Sequence, residues 1–191
     1  MPSDATGDDR GPPPAGPLSK HIILVGMPGV GKTTVGHRVA RMLRADYLDF
    51  DSEIERREAA PIGEIFRARG EDYFRKLEYD LTLEVSRRDP MILAPGGGWI
   101  CQPRAVELLG GTGRTIYLRV TPEAVFKRLK RIAERPLLAG PDPLGRLRQL
   151  YEERRKLYEA ADAVVDAETL TKDQLAAEVA KAAKALENRR S

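Results

Sequence analysis

An unbroken run of eight residues, Gly26-Met27-Pro28-Gly29-Val30-Gly31-Lys32-Thr33, has the spacing G-x-x-x-x-G-K-[ST]. That pattern suits the binding of a chain of phosphates. Its glycines let the backbone wrap tightly, so that successive N–H groups point into one concavity, and the positive end of a following helix faces the same point. Gly29, Val30, Gly31, Lys32, Thr33 and Thr34 are the expected nucleotide contacts. The Lys32 ammonium would bridge the β- and γ-phosphates, and the Thr33 hydroxyl would be offered to Mg2+. A bare turn between strand and helix is the plainer alternative. Context argues against it: the apolar run HIILVG (21–26) precedes the motif, and Val35, Val39 and Leu43 follow it four apart on one helical face.

A second group of side chains completes a possible reaction centre. Asp49 and Asp51 stand 16 and 18 residues after Thr33. Placed at the end of a strand they would point to one side, with Phe50 to the other. Ligands of open parallel sheets collect beyond such strand ends. One carboxylate would then hold a metal-bound water and the other an acceptor hydroxyl. Solvated acids or a helix N-cap remain the alternative for this pair alone. In Phe74-Arg75-Lys76-Leu77-Glu78, Arg75 and Glu78 lie one helical turn apart, which also suits a surface ion pair. Gly96-Gly97-Gly98 is either a turn or a place where a ligand approaches the backbone closely. Arg135 opens Arg-Pro-Leu-Leu-Ala-Gly, and Arg154 and Arg155 sit in a charged helical stretch where an exposed face is the alternative.

The elements that must position these residues alternate in type. Strands are predicted at about 21–26, 47–50, 91–94, 115–120 and 163–166. Helices are predicted up to Leu43, over 52–59 and 62–70 on either side of Pro61, over 71–88, over 144–160, and from a Thr121-Pro122-Glu123 start to about Ile132. Thr171 and Gln174 form a capping box for a last helix, with Leu175, Val179, Ala183 and Leu186 facing inward. Strands alternating with helices imply an α/β domain on a parallel sheet.

Residues 1–19 hold five of the 14 prolines and almost no apolar side chains, and are expected to form a flexible tail. The first 20 residues lack the basic and apolar regions of a secretory signal, and no apolar run reaches the length of a membrane span. Cys101 is the single cysteine, so an intrachain disulfide is excluded and a reducing cytoplasm is the expected setting. Net charge is +3, but the arginines alternate with glutamates, as in EIERRE and YEERRK. That interleaving favours phosphate-bearing small molecules over nucleic acid as the main ligand.

In order, the segments GMPGVGKTT, LDFDSEIE, EDYFRKLE, APGGGWI, RPLLAG and RRKLY resemble those of the shikimate kinases, from about Ile22 to the last helix. The resemblance implies a three-layer α/β fold of the nucleoside-monophosphate-kinase type, a P-loop kinase with a five-stranded parallel sheet in the order 2-3-1-4-5. It implies one domain over 20–191, with an acceptor-binding part at about 52–80 and a lid at about 130–142. The implied reaction transfers the γ-phosphoryl of ATP to the 3-hydroxyl of shikimate, on the route to chorismate and aromatic amino acids, with Mg2+ and in a monomer. Position by position, Lys32, Asp51 and Arg135 correspond to catalytic residues, with Asp51 holding the reacting hydroxyl. Asp49 corresponds to the partner of Thr33 at the metal. Arg75, Gly97 and Arg154 correspond to shikimate contacts, and Glu78 to the acid that orients Arg75. Arg135 corresponds to the lid arginine at the phosphates and Arg128 to the one near adenine. Two arginines can fork onto one planar carboxylate, as lysine cannot. The rival expectations are a gluconate or nucleotide kinase of the same fold, and a nucleotide-binding module that transfers nothing.

Overall fold

The structure is a computed structural model that describes residues 18–129 and 141–188. Five strands, β1 (His21–Val25), β2 (Tyr47–Asp49), β3 (Ile92–Ala94), β4 (Gly113–Arg119) and β5 (Ala163–Asp166), pair in parallel in the order β2-β3-β1-β4-β5. In the centre, Ile22 pairs with Ile92 on one side and Ile23 with Thr115 on the other. Every residue of β1 is buried, as expected of a strand covered on both faces.

Among the described residues, seven α-helices surround the sheet: α1 (Lys32–Leu43), α2 (Phe50–Glu58), α3 (Ile62–Val85), α4 (Pro103–Gly110), α5 (Pro122–Arg128), α6 (Pro143–Glu159) and α7 (Lys172–Asn188). α1 and α7 pack on each other and over the strands, while α3 packs on α4, which in turn contacts β4. Among the described residues no helix is long and apolar enough to cross a membrane.

The starts and stops of these elements follow from local chemistry. Thr121 accepts from the Ala124 N–H with Pro122 behind it, and α5 then ends at Arg128 because Leu129 is extended, short of the expected Ile132. Thr171 and Gln174 exchange the two bonds of the capping box, and Leu175, Val179, Ala183 and Leu186 are all buried. The helices predicted over 62–70 and 71–88 are joined in α3 across Gly70, whose backbone alone is non-helical there. α4 was not anticipated. It is short and has no side-chain cap, but Pro103 opens it and Ala105 and Leu109 bury one face. The first 17 residues of the expected tail, and residues 130–140 of the expected lid with Arg135, lie outside the described residues.

Candidate active site

The carboxyl ends of β1, β2 and β3 meet at one place. From Val25 the chain enters the glycine-rich loop, which ends at Gly31, the N-cap of α1. Gly31 has φ +102, and a Cβ there would touch nothing within 4 Å, so this glycine answers to backbone conformation alone. Lys32 is nearly buried. Its Nζ donates to the carbonyls of Gly26 at 2.9 Å and Met27 at 3.2 Å, so the ammonium is folded over its own loop. The Val30 N–H bonds inside the loop to the Met27 carbonyl, and Thr34 follows Thr33 in the first turn of α1.

Asp49 belongs to both β2 and α2. Its Oδ1 accepts from the Ser52 N–H at 3.1 Å as the N-cap of α2, and its Oδ2 accepts from Thr33 Oγ1 at 2.7 Å. Tyr47 Oη donates to the same Oδ2 at 3.2 Å. The strand alternation expected for Asp49 and Asp51 is therefore corrected. The cap turns the chain at Asp49, so Phe50 is buried at the helix start and Asp51 sits in the first turn of α2. Thr33 and Asp49 offer hydroxyl and carboxylate oxygens, the donor type Mg2+ takes.

Gly96, Gly97 and Gly98 form a floor on which three other segments lie. A Cβ on Gly96 would fall 2.7 Å from Glu78 Oε1 and 3.0 Å from Asp51 Oδ1; one on Gly97, 2.9 Å from the Pro28 ring; one on Gly98, 2.4 Å from Arg75 Nη2. Any side chain here would push against the phosphate loop, the carboxyls or the guanidinium. The triglycine is thus a close approach of backbone to side chains, and it brings the nucleotide loop against the second cluster.

Arg75 reaches Glu78 Oε2 at 2.5 Å and Glu71 Oε1 at 2.7 Å. Glu78 is fully buried, and Gln102 donates to its Oε2 at 2.8 Å, while Oε1 has no hydrogen-bond partner among the described residues. Burial pushes the Glu78 carboxyl up to about 7, with the Asp51 charge adding and Arg75 opposing. From α6, Arg154 Nη1 donates to the Gly97 carbonyl at 3.2 Å, and Tyr158 Oη, one turn on, donates to the same oxygen at 2.8 Å. Trp99 follows the floor and is fully buried. Its Nε1 donates to Thr82 Oγ1 at 2.9 Å, and Thr82 Oγ1 donates to the Glu78 carbonyl.

The expected residues Lys32, Thr33, Asp49, Asp51, Arg75, Gly97 and Arg154 thus gather around two contiguous surfaces, a phosphate loop and a glycine floor. Arg128 ends α5, with Nη2 on the carbonyls of Ala167 at 3.0 Å and Glu168 at 2.6 Å. Sequence reasoning did not single out Tyr47, Gln102 or Pro28, and it met Tyr158 only inside RRKLY. Tyr47 stands directly before LDFD, two residues from the Asp49 it bonds, whereas the partners of Gln102, Pro28 and Tyr158 are distant in sequence.

Comparison with known proteins identifies the family and the fold. The family model for shikimate kinase matches residues 28–184. A shikimate kinase of Caldanaerobacter subterraneus is 39% identical over 163 residues, covering 85% of this chain and 95% of its own length. One from Burkholderia lata is 42% identical over 147 residues, covering 76% and 80%. Among solved structures, the shikimate kinase from Acinetobacter baumannii in complex with shikimate superposes with a TM-score of 0.83 at 36% identity, over 90% of this chain and 96% of that one. A gluconokinase from Sinorhizobium meliloti reaches a TM-score of 0.59 at 15% identity over 90% and 95%, a likeness of fold alone. With the family model matching most of the chain and these relatives covering it closely in sequence and fold, this chain belongs to the shikimate kinase family.

Proposed function

We propose that this protein transfers the γ-phosphoryl group of ATP to the 3-hydroxyl of shikimate, giving shikimate 3-phosphate in the chorismate and aromatic amino acid route. It is a phosphotransferase acting on the alcohol group of a small molecule, with ATP as co-substrate. The observation that carries the reading is the contact of the two surfaces. Gly97, beside Arg75 and Arg154, packs on Pro28 of the phosphate loop, so an acceptor on the floor would lie next to the end of the phosphate chain.

Phosphoryl transfer asks mainly for positioning and for positive charge around the moving group. Lys32 would exchange its loop carbonyls for the β- and γ-phosphate oxygens, which are better acceptors for an ammonium. Gly29, Val30, Gly31, Thr33 and Thr34 would line the phosphates with backbone N–H groups at the positive end of α1. Arg75 and Arg154 would hold the shikimate carboxylate, with Glu78 keeping Arg75 in register and the Gly97 backbone beside the ring. Asp51 would accept the hydrogen bond of the reacting hydroxyl and fix its line of approach. Arg128 would stand near adenine, and Arg135, outside the described residues, would add charge at the phosphates. A hard divalent cation fits Thr33 and Asp49, whose oxygens already face each other at 2.7 Å. Bound there, Mg2+ supplies charge neutralisation to the phosphates. We further propose a single domain over 20–191, an acceptor-binding part at about 52–80, a lid at about 130–142, and action as a monomer in the cytoplasm on small molecules.

ADP release measured with shikimate, gluconate, a nucleoside monophosphate or no acceptor tests the proposal. Turnover with shikimate is expected to exceed each of the others by orders of magnitude. No release with any acceptor would leave only a nucleotide-binding module, equal release without an acceptor would mean hydrolysis by water, and faster release with gluconate would reassign the floor.

A further inference from the structure

Gly36 lies one turn beyond Thr33 in α1, in a helix interior where glycine is unfavourable. Its backbone is helical, so conformation does not call for it. Space does: a Cβ at this position would fall 2.3 Å from Cε2 of Tyr47. The Tyr47 ring lies in the slot that Gly36 leaves open, with the His37 ring tilted against it at a centroid distance of 4.1 Å. Seated there, the phenol reaches Asp49 Oδ2, the same oxygen that accepts from Thr33 Oγ1. With Ser52 N–H on Oδ1, the carboxylate is held by three donors from three elements: α1, β2 and α2.

This arrangement has a chemical consequence for the proposed metal side, on which the inference rests. When a hydroxyl binds a cation through a lone pair, its proton must point elsewhere and needs an acceptor. Asp49 Oδ2 is that acceptor for Thr33, and its orientation decides where the free lone pairs of Thr33 aim. Outer partners of this kind tune the affinity of a metal site strongly. We propose that Tyr47, seated on Gly36, is a positioning residue for the metal-bound nucleotide: its hydroxyl fixes Asp49 so that Thr33 presents its oxygen to the cation.

The test uses the full-length chain with ADP and Mn2+, read by electron paramagnetic resonance. Tyr47→Phe keeps the ring and removes the hydroxyl. It is expected to raise the Mn2+ dissociation constant of the enzyme–ADP complex about 10-fold, the lower end for an outer-sphere partner. ADP binding in the presence of a chelator should stay within twofold of wild type. Gly36→Ala keeps every hydrogen-bonding group and displaces the ring, and is expected to give the same rise; an unchanged constant would overturn the role of the slot. Asp49→Asn serves as the reference. If it weakens Mn2+ binding while Tyr47→Phe does not, the inference about Tyr47 is overturned and the metal-side reading of Asp49 stands. If Asp49→Asn also has no effect, both fall. If Tyr47→Phe weakens chelated and metal-bound ADP equally, the tyrosine is only a packing residue and the inference is likewise overturned.

Discussion

At the amino end of the sheet, His21 is buried with a ring nitrogen bonded to the backbone. Nδ1 accepts from the Met91 N–H at 3.2 Å, and the Val85 backbone acts on the same ring. At the carboxyl end, Glu78 is buried with one oxygen bonded to Arg75 and Gln102 and the other without a hydrogen-bond partner among the described residues. The first end ties β1 to the residue that leads into β3. The second keeps an unmet polar atom beside Asp51 and a guanidinium, and it is where the proposed reaction would take place. A buried polar group without its full set of partners costs free energy. A protein tolerates that cost where a ligand can use the group, and satisfies its polar atoms where only the fold is at stake.

The sharpest way to break this contrast is at Asp51. Asp51→Asn is nearly isosteric and removes the acceptor for the hydroxyl proton. Turnover with shikimate is expected to fall by about 10²–10⁴-fold, the range for losing a general base, with ATP affinity retained. Turnover within threefold of wild type would remove Asp51 from the acceptor side. Next in size are Arg75→Lys and Arg154→Lys, which keep charge and lose the fork. Each is expected to raise the Michaelis constant for shikimate about 30-fold or more, with little change for ATP. Unchanged shikimate constants in both would make these arginines structural, like His21.

The two buried groups also predict opposite pH dependences. Burial lifts Glu78 from 4.5 to about 7, so its contribution to stability is present below about pH 4.5 and is lost as pH rises through about 7. Glu78→Gln is expected to remove that loss. Relative to wild type it should gain on the order of 3 kcal/mol in denaturant unfolding between pH 4.5 and pH 8, while binding shikimate more weakly because Arg75 loses its anchor. Parallel pH–stability curves would contradict the strained carboxyl. Burial disfavours the charged imidazole and holds His21 below 6.5, with the Val85 backbone opposing. Its contribution is present above about pH 6.5 and is lost as pH falls below it. His21→Gln should flatten that acid limb and leave turnover untouched. A change in catalysis without a change in the acid limb would mean that the ends are coupled.

What could be read in the sequence was local. The phosphate loop is eight adjacent residues with a strand before and a helix after, so its shape and partners follow from one stretch of chain. The capping box at Thr171 and Gln174 is local in the same way. The Asp49–Asp51 pair was misread in geometry because the identical residues fit a strand end and a helix cap, and the Ser52 N–H decided for the cap. α4 was missed because eight residues without a side-chain cap leave little beyond a proline and two apolar positions. Gln102 on Glu78 and Tyr158 on Gly97 link positions 24 and 61 apart, and nothing in either segment announces the other.

Trp99 is the single tryptophan of the chain. Its backbone N–H bonds the Gly96 carbonyl at 3.0 Å, and its indole leads through Thr82 to the Glu78 carbonyl. The whole ultraviolet emission attributable to tryptophan therefore comes from one ring locked to the glycine floor. The protein carries its own optical gauge of that floor: excitation near the red edge of the aromatic band reads the surroundings of Gly96–Gly98 and α3 without a label, and events confined to the far side of α7 leave it dark.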